Sequence, residues 1–491
     1  MMRFDRNKLN FGAKYEHLHN GVPCQCHSPE ARSINHRLTT AMSRRSFITG
    51  AGAILAAAGS GFATPALAQS PDKPLLLKNI SIFDGMLDKL IVGKSILIRD
   101  GKIEAFVDDG ETITDATVID GAGMTAMPGL IDVHWHSMLA AMPMNVAMTA
   151  DIGYLYLIAA QEAEKTLMRG FTTVRDVGGP SFALKRAIDE ERFMGPRIYP
   201  AGAMISQTSG HGDFRMRTDI PRTGQSDLSA AEKAGISVIA DGSDEVLRRT
   251  REQLMLGASQ IKIMVGGGVS SFYDPLDSIQ FTSAEIQASV NAASDWGTYV
   301  CAHVYTSAGI KRALDNGVQC IEHGQLADDD TIRRIADEGV WWSIQPFLAD
   351  SDSNPQSVPE ARAQQIRIAE GTIRCFELGQ KYNAKLAWGT DILFNPKGTQ
   401  SQTRQLAKTA QWFGNFGVLK MATSTNAELL RMSGDRNPYK AALGVLEPKA
   451  YADILLVDGN PLDDISLIAD PEKNFRLIMK NGIVCKNTLS S

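Results

Sequence analysis

Between Met127 and Asp391 the chain repeats one theme: a short apolar run of strand composition, a loop, then a stretch whose apolar residues recur every three to four positions. Period two marks a strand and period 3.6 a helix, so each repeat reads as a βα unit. The strand runs fall at 129–136, 172–178, 197–202, 260–266, 299–305, 319–323, 341–347 and 385–391, and the helical stretches at 152–169, 182–192, 244–256, 283–296, 307–316, 328–338 and 359–382. Eight such units predict an α/β fold, a TIM (β/α)8 barrel whose chemistry sits at the C-terminal ends of its strands.

The flanks follow another pattern. Short strands broken by turns are expected at 80–83, 95–99, 102–107 and 117–120, and again at 453–457, 475–480 and 483–485. Neither flank can form a core alone, so the two are expected to pair into one small β-sandwich domain from 69–127 and 445–491, beside a barrel spanning 128–444.

Ahead of these elements, Ser43-Arg44-Arg45-Ser46-Phe47-Ile48 precedes a run of small and apolar residues ending in Ala66-Leu67-Ala68. A paired-Arg head, a mildly apolar middle and a small-x-small cleavage site resemble a twin-arginine export signal. Residues 1–68 are therefore set apart as an upstream extension and signal peptide, and a periplasmic or secreted location is expected. Met42 stands directly before the motif, so 1–41 lie upstream of an alternative start.

Composition narrows the class. With 491 residues, 44% hydrophobic content and 50 Lys and Arg against 55 Asp and Glu, the chain is too apolar for disorder and too evenly charged for a dedicated nucleic-acid binder. Residues 69–491 alone carry 42 basic against 52 acidic side chains, which argues further against nucleic acid and anionic membranes. The 6 cysteines show no zinc-finger spacing, and no later run reaches the ~18 apolar residues of a membrane span.

Of the 9 histidines, His134, His136, His211, His303 and His323 lie beyond residue 68, and four of them end strand-like runs. His134 and His136 are two apart, so on a strand both imidazoles face one side, toward the barrel mouth. His303 and His323 end the fifth and sixth runs, and Asp391 ends the eighth. Lys262 lies within the fourth run, flanked by apolar residues that make a bare ammonium costly to bury. A buried amine can instead react with carbon dioxide to give a carbamate, N6-carboxylysine, able to bridge two metal ions. Four His, one Asp and this lysine suffice for two divalent ions, zinc being the expected identity. Such a pair polarises an acyl carbonyl and supplies hydroxide near neutral pH, with Asp391 moving the proton to a leaving amine.

Other signatures are missing. No G-x-S-x-G elbow, Walker loop or dinucleotide-binding glycine pattern occurs. Gly266–Gly268 reads as a site of close backbone approach. His211, in a Gly-rich loop after the third run, and Tyr305, two residues past His303, are candidate substrate contacts. Arg215 and Arg217 could meet a substrate carboxylate, although a solvated loop charge is the plainer reading.

The motifs M-P-G-L-I-D-V-H-W-H, L-x-x-G-x-T-T-V-R-D, I-E-H-G, W-G-T-D and A-D-I-L-L-V-D-G-N-P-L resemble those of the metal-dependent amidohydrolase superfamily across residues 69–491 almost end to end. Within it, R-D-V-G-G, the Q-I-K-I strand, A-H-V-Y-T and the G-H-G-D loop are similar to the prolidase-like and carboxypeptidase-like branch that includes ochratoxinases. The resemblance implies that His134 and His136 bind one ion, His303 and His323 the other, that carboxylated Lys262 bridges them, and that Asp391 binds metal and shuttles the proton. It also implies an amide or dipeptide substrate whose amine side is a C-terminal amino acid, ochratoxin A among the candidates, and a homo-oligomer. Relatives often carry two glycines before the loop histidine, where this chain has Ser209-Gly210. An alternative is cyclic-amide opening of the imidazolonepropionase type; a non-catalytic barrel should have lost ligand positions that are all filled here.

Overall fold

The computed structural model describes residues 73–489, apart from 223–226, 270, 272, 354 and 357, together with a two-residue antiparallel pairing of Leu18–His19 with Val22–Pro23. The export-signal motif at 43–68 lies outside the described residues. Among them, no helix is long and apolar enough to cross a membrane.

Each of the eight apolar runs contains a strand, and all eight strands run parallel to their neighbours. Leu130–Trp135, Phe171–Asp176 and Arg197–Pro200 form one three-stranded parallel sheet. Ile261–Met264, Val300–Thr306, Cys320–Leu326, Trp341–Ile344 and Lys385–Trp388 form the greater part of a second, seven-stranded parallel sheet. Almost every position in these strands is buried, the mark of sheets covered on both faces.

Two strands at the edge of the larger sheet were not expected. Met204–Ser206 pairs with Ile261–Met264 and with Ser237–Ile239. At three residues each they are too short to show a period, and they lie in a stretch rich in Gly and polar residues. Single hydrogen bonds reach across the gaps between the sheets, from Ser259 N to the Pro200 carbonyl (2.8 Å) and from Asp391 N to the His134 carbonyl (2.8 Å).

The intervening helices appear where the 3.6 period places them, within a few residues at their ends. Several of their starts are capped by side chains: Asp151 accepts from Gly153 N, Thr282 and Glu285 form a reciprocal capping box, and Asp328 accepts from Thr331 N. The sequence pattern assigned nothing between 392 and 449. The structure places helices there at Gln402–Lys408, Ala410–Lys420 and Asn426–Leu430, broken by a non-helical Gly414 and a π turn, interruptions that hide the period.

The flanking strands join into one seven-stranded sheet in the order 483–487, 475–480, 454–457, 117–128, 75–82, 94–99, 102–108. The seam between chain ends is the antiparallel pairing of Thr117–Pro128 with Ile454–Val457. Alternation along Ile454–Val457 sends Ile454 and Leu456 into a core confined to the flanks. It sends Leu455 and Val457 into the large core beneath the parallel strands. The two bodies of structure are further tied by a buried ion pair from Arg197 to Asp453, whose other carboxylate oxygen accepts from Asn481 N at 2.8 Å.

Removing one partner of a buried pair leaves an uncompensated charge in the interior. Asp453→Ala is therefore expected to lower unfolding free energy by about 3–5 kcal/mol, measured by equilibrium chemical denaturation.

Candidate metal and substrate site

His134, His136, His211, Lys262, His303, Tyr305, His323 and Asp391 all line one cavity at the C-terminal ends of the parallel strands. His134 and His136 leave the end of Leu130–Trp135 on the same side. One ligand atom each from His134, His136 and Asp391 lie within 4.8 Å of one another. Asp391 Oδ1 is 3.1 Å from His136 Nε2 and 3.4 Å from His134 Nε2. The other ring nitrogens are turned away from the cavity: His136 Nδ1 is 3.0 Å from the Gly178 carbonyl, and His134 Nδ1 is 2.7 Å from Glu322 Oε2. Metal-binding imidazoles are commonly held this way, one nitrogen fixed by an acceptor and the other presented to the ion.

Backbone geometry brings Asp391 into reach. Gly389 passes so close to the first strand that a Cβ on it would stand 2.4 Å from His134 N. Asp391 itself sits in the left-handed region at φ 54°, as does His323 at φ 77°, conformations rare for residues with side chains and concentrated at functional sites. Asp132 fixes the same junction from behind, accepting from His134 N (3.0 Å), Thr390 Oγ1 (2.7 Å) and Gln402 Nε2 (2.9 Å).

The second half of the cluster lies on adjoining strands. His303 and His323 have ring centroids 4.4 Å apart, and His134 and His323 4.9 Å. Lys262 is 2% exposed and sits one strand over, with Cys301 as its register partner. Burial, then the charges of His211, His323 and Lys262, hold His303 well below the ordinary imidazole range. Burial does the same to His323, aided by His134 and Lys262. Both shifts favour the neutral ring, the state a metal ligand requires. His323 Nδ1 is buried and has no hydrogen-bond partner among the described residues, a donor atom left for a ligand. Burial opposes the charge of Asp391, but His134 and His136 outweigh it and keep the carboxylate far below its usual range. In His136 burial lowers the pKa, and the hydrogen bond and charge of Asp391 raise it above the ordinary value. This nitrogen and oxygen set, buried at 1–4% exposure for the imidazoles, fits divalent ions of the zinc type.

Other residues of the cavity surround the cluster. His211 stacks on His303 at 4.0 Å, with Nδ1 3.0 Å from both Ser271 Oγ and Asp274 Oδ2. Tyr305 packs between His303 and His323. Burial, then the charges of Asp391 and Asp274, push its phenol far above its ordinary value, so it remains an O–H donor. Phe214, Val269, Phe347, Ile368, Ile392 and Leu393 give the cavity apolar walls.

Arg215 and Arg217 do not reach it. Arg215 is buried and paired twice with Asp213, at 2.7 and 2.6 Å, while Arg217 lies exposed in a short 3-10 turn. Sequence reading gave no role to Arg175 or Glu322, although both stand in the motifs quoted above. The one signal was that each is an ionisable residue within a strand run, and they meet in the interior at 2.5 Å. Arg175 overcomes burial and holds Glu322 well below the carboxylate range.

Residues 125–485 match the amidohydrolase family. Ochratoxinase from Aspergillus niger is 30% identical over 367 residues, 70% of this chain and 72% of that protein. The crystal structure of an amidohydrolase, 35% identical, superposes with a TM-score of 0.77 over 85% of this chain and 100% of its own. A prolidase solved with N-methylphosphonate-L-proline is 31% identical, with a TM-score of 0.77 over 84% of this chain and 100% of its own.

Of the triple glycine, Gly268 is the one pressed against His211: a Cβ on it would lie 1.9 Å from His211 Cε1. Gly268→Ala is expected to dislodge the imidazole from its stack on His303 while the rest of the fold persists, with a structure of the variant as the check.

Proposed function

The chain belongs to the amidohydrolase family, and from that premise we propose that it hydrolyses the amide bond of N-acyl amino acids or dipeptides at a centre of two divalent metal ions. The observation that carries this reading is the convergence of His134, His136, His303, His323, Asp391 and Lys262 on one cavity, with the buried His323 Nδ1 left unpartnered. In this reading the two parallel sheets are arcs of one closed (β/α)8 barrel over 128–444, with the flank sheet as a small β domain. The bonds from Pro200 to Ser259 and from His134 to Asp391 support that closure.

His134 and His136 would hold one ion and His303 and His323 the other, with Asp391 completing the first set. Lys262 would bridge them as a carbamate: the ammonium gives up one proton, the free Nζ amine bonds to carbon dioxide and gives up a second, and a positive charge among imidazoles becomes a negative one. Bound ions of this kind, zinc best matching the donors, supply Lewis acidity and lower the pKa of water. Asp391 accepts a proton at its ionised carboxylate and passes it to the departing amine. The Tyr305 hydroxyl donates toward the substrate carbonyl oxygen, and His211 holds the substrate at the loop side. The apolar walls exclude water and suit an apolar amino-acid side chain or acyl group, consistent with relatives named ochratoxinase and prolidase. Export by the twin-arginine route belongs to the same proposal and rests on the residues before 69 alone.

Incubating the processed protein with N-acyl amino acids, ochratoxin A, Xaa-Pro dipeptides and lactams is expected to release the C-terminal amino acid, and chelation to stop it. Lactam opening with no amine release would overturn the assignment in favour of cyclic amides. Lys262→Ala is expected to lose bound metal and at least ~10²-fold in kcat/KM, with short carboxylic acids restoring part of both; full activity in that variant would contradict a bridged pair.

A further inference from the structure

Beneath the cluster lies an ion pair that the chemistry above does not itself use. Arg175 and Glu322 are both 0% exposed, and their contact joins Phe171–Asp176 to Cys320–Leu326, strands that belong to different sheets. A pair so far from water gives little net stability over apolar side chains of the same volume. Its contacts point to another use.

Glu322 places one oxygen on Arg175 Nη2 at 2.5 Å and the other on His134 Nδ1 at 2.7 Å. A second group competes for that nitrogen, because Gln345 Nε2 lies 3.0 Å from it. The amide cannot readily turn over, since the same Nε2 donates to the Ser343 carbonyl at 3.0 Å. The two neighbours make opposite demands on Nδ1: the carboxylate requires an N–H there, and the amide N–H requires a lone pair. Were the amide to prevail, the ring proton would sit on Nε2, the nitrogen that faces Asp391 at 3.4 Å, and no lone pair would be offered to an ion. A carboxylate oxygen would also face a nitrogen lone pair across 2.7 Å. Charge-assisted hydrogen bonds are about twice as strong as neutral ones, so Glu322 prevails. Arg175 holds the carboxylate in that position. Its guanidinium is itself fixed by the carbonyl of Val133, the residue before His134, and by the Tyr299 hydroxyl.

We propose that the Arg175–Glu322 pair is a tautomer lock for His134: it keeps the ring proton on Nδ1 and leaves Nε2 as the ligand atom. Both are positioning residues, acting on metal affinity through His134. The inference rests on the metal-site reading above.

The test uses Glu322→Gln in the full chain, whose neutral amide can present either a donor or an acceptor to Nδ1. Zinc affinity is measured by chelator competition, and the histidine tautomer of zinc-free protein by 15N spectra of histidine-labelled samples. The expected result is about 10–100-fold weaker zinc binding, with the His134 signal moving from a single Nδ1–H form to a mixture. Because this substitution leaves a buried guanidinium unpaired, the double variant Arg175→Met, Glu322→Gln removes both charges. It is expected to fold with a melting temperature close to that of the wild type and to show the same loss of affinity. Folded variants that bind zinc as tightly as the wild type and keep Nδ1 protonated would overturn the lock. A wild type that retains no zinc would instead overturn the site reading, and the lock with it.

Discussion

Exclusion of water from the strand ends is the constraint on which the rest of this structure depends. Once imidazoles, carboxylates and a lysine are buried there, each must be satisfied by another side chain, by backbone or by a ligand. Asp132 gathers the first and last strands by accepting from His134 N and Thr390, and Glu322 links His134 to Arg175. Gly178 offers its carbonyl to His136. These contacts leave Nε2 of both leading histidines turned toward Asp391, and leave His323 Nδ1 with nothing. Buried imidazole nitrogens and a carboxylate that converge on one cavity in this way have the form of a site built around ions.

Apolar periodicity made most of this legible before any coordinates. The eight strand runs, seven helices and the pairing of the two flanks follow from short-range pattern and from the need of each flank for a partner. What escaped was either too short or too interrupted to carry a period: Met204–Ser206, Ser237–Ile239, and the helices after Gly398 with the break at Gly414. The chemistry was legible in the same uneven way. Residue type and position at strand ends singled out the four histidines and Asp391, and the cost of burying an ammonium within an apolar run singled out Lys262. Partners that meet only across the interior were not visible, since nothing in the local sequence links Arg175 to Glu322 or Arg215 to Asp213. The sequence placed Arg215 near the site by its loop, and the fold gave its charge to Asp213 instead.

The candidate ligands and the cavity walls come from different parts of the fold. The candidate ligands lie on the strands or just past their ends, whereas His211, the Gly268 beside it and the walls at Phe214, Phe347 and Leu393 come from the connections after them. Loops on a rigid scaffold can change preference without disturbing the donors beneath. Ser209, at φ 60° beside Gly210, occupies a left-handed position in the loop that carries His211, one a glycine adopts more readily.

The central claim is that two ions sit among these donors, and anomalous diffraction at the zinc edge from crystals of the zinc-loaded protein tests it most directly. The account predicts two peaks, one among His134, His136 and Asp391 and one beside His303 and His323, with electron density extending Lys262 between them. A single peak, or none in this cavity, with Lys262 ending in a bare amine, would contradict it.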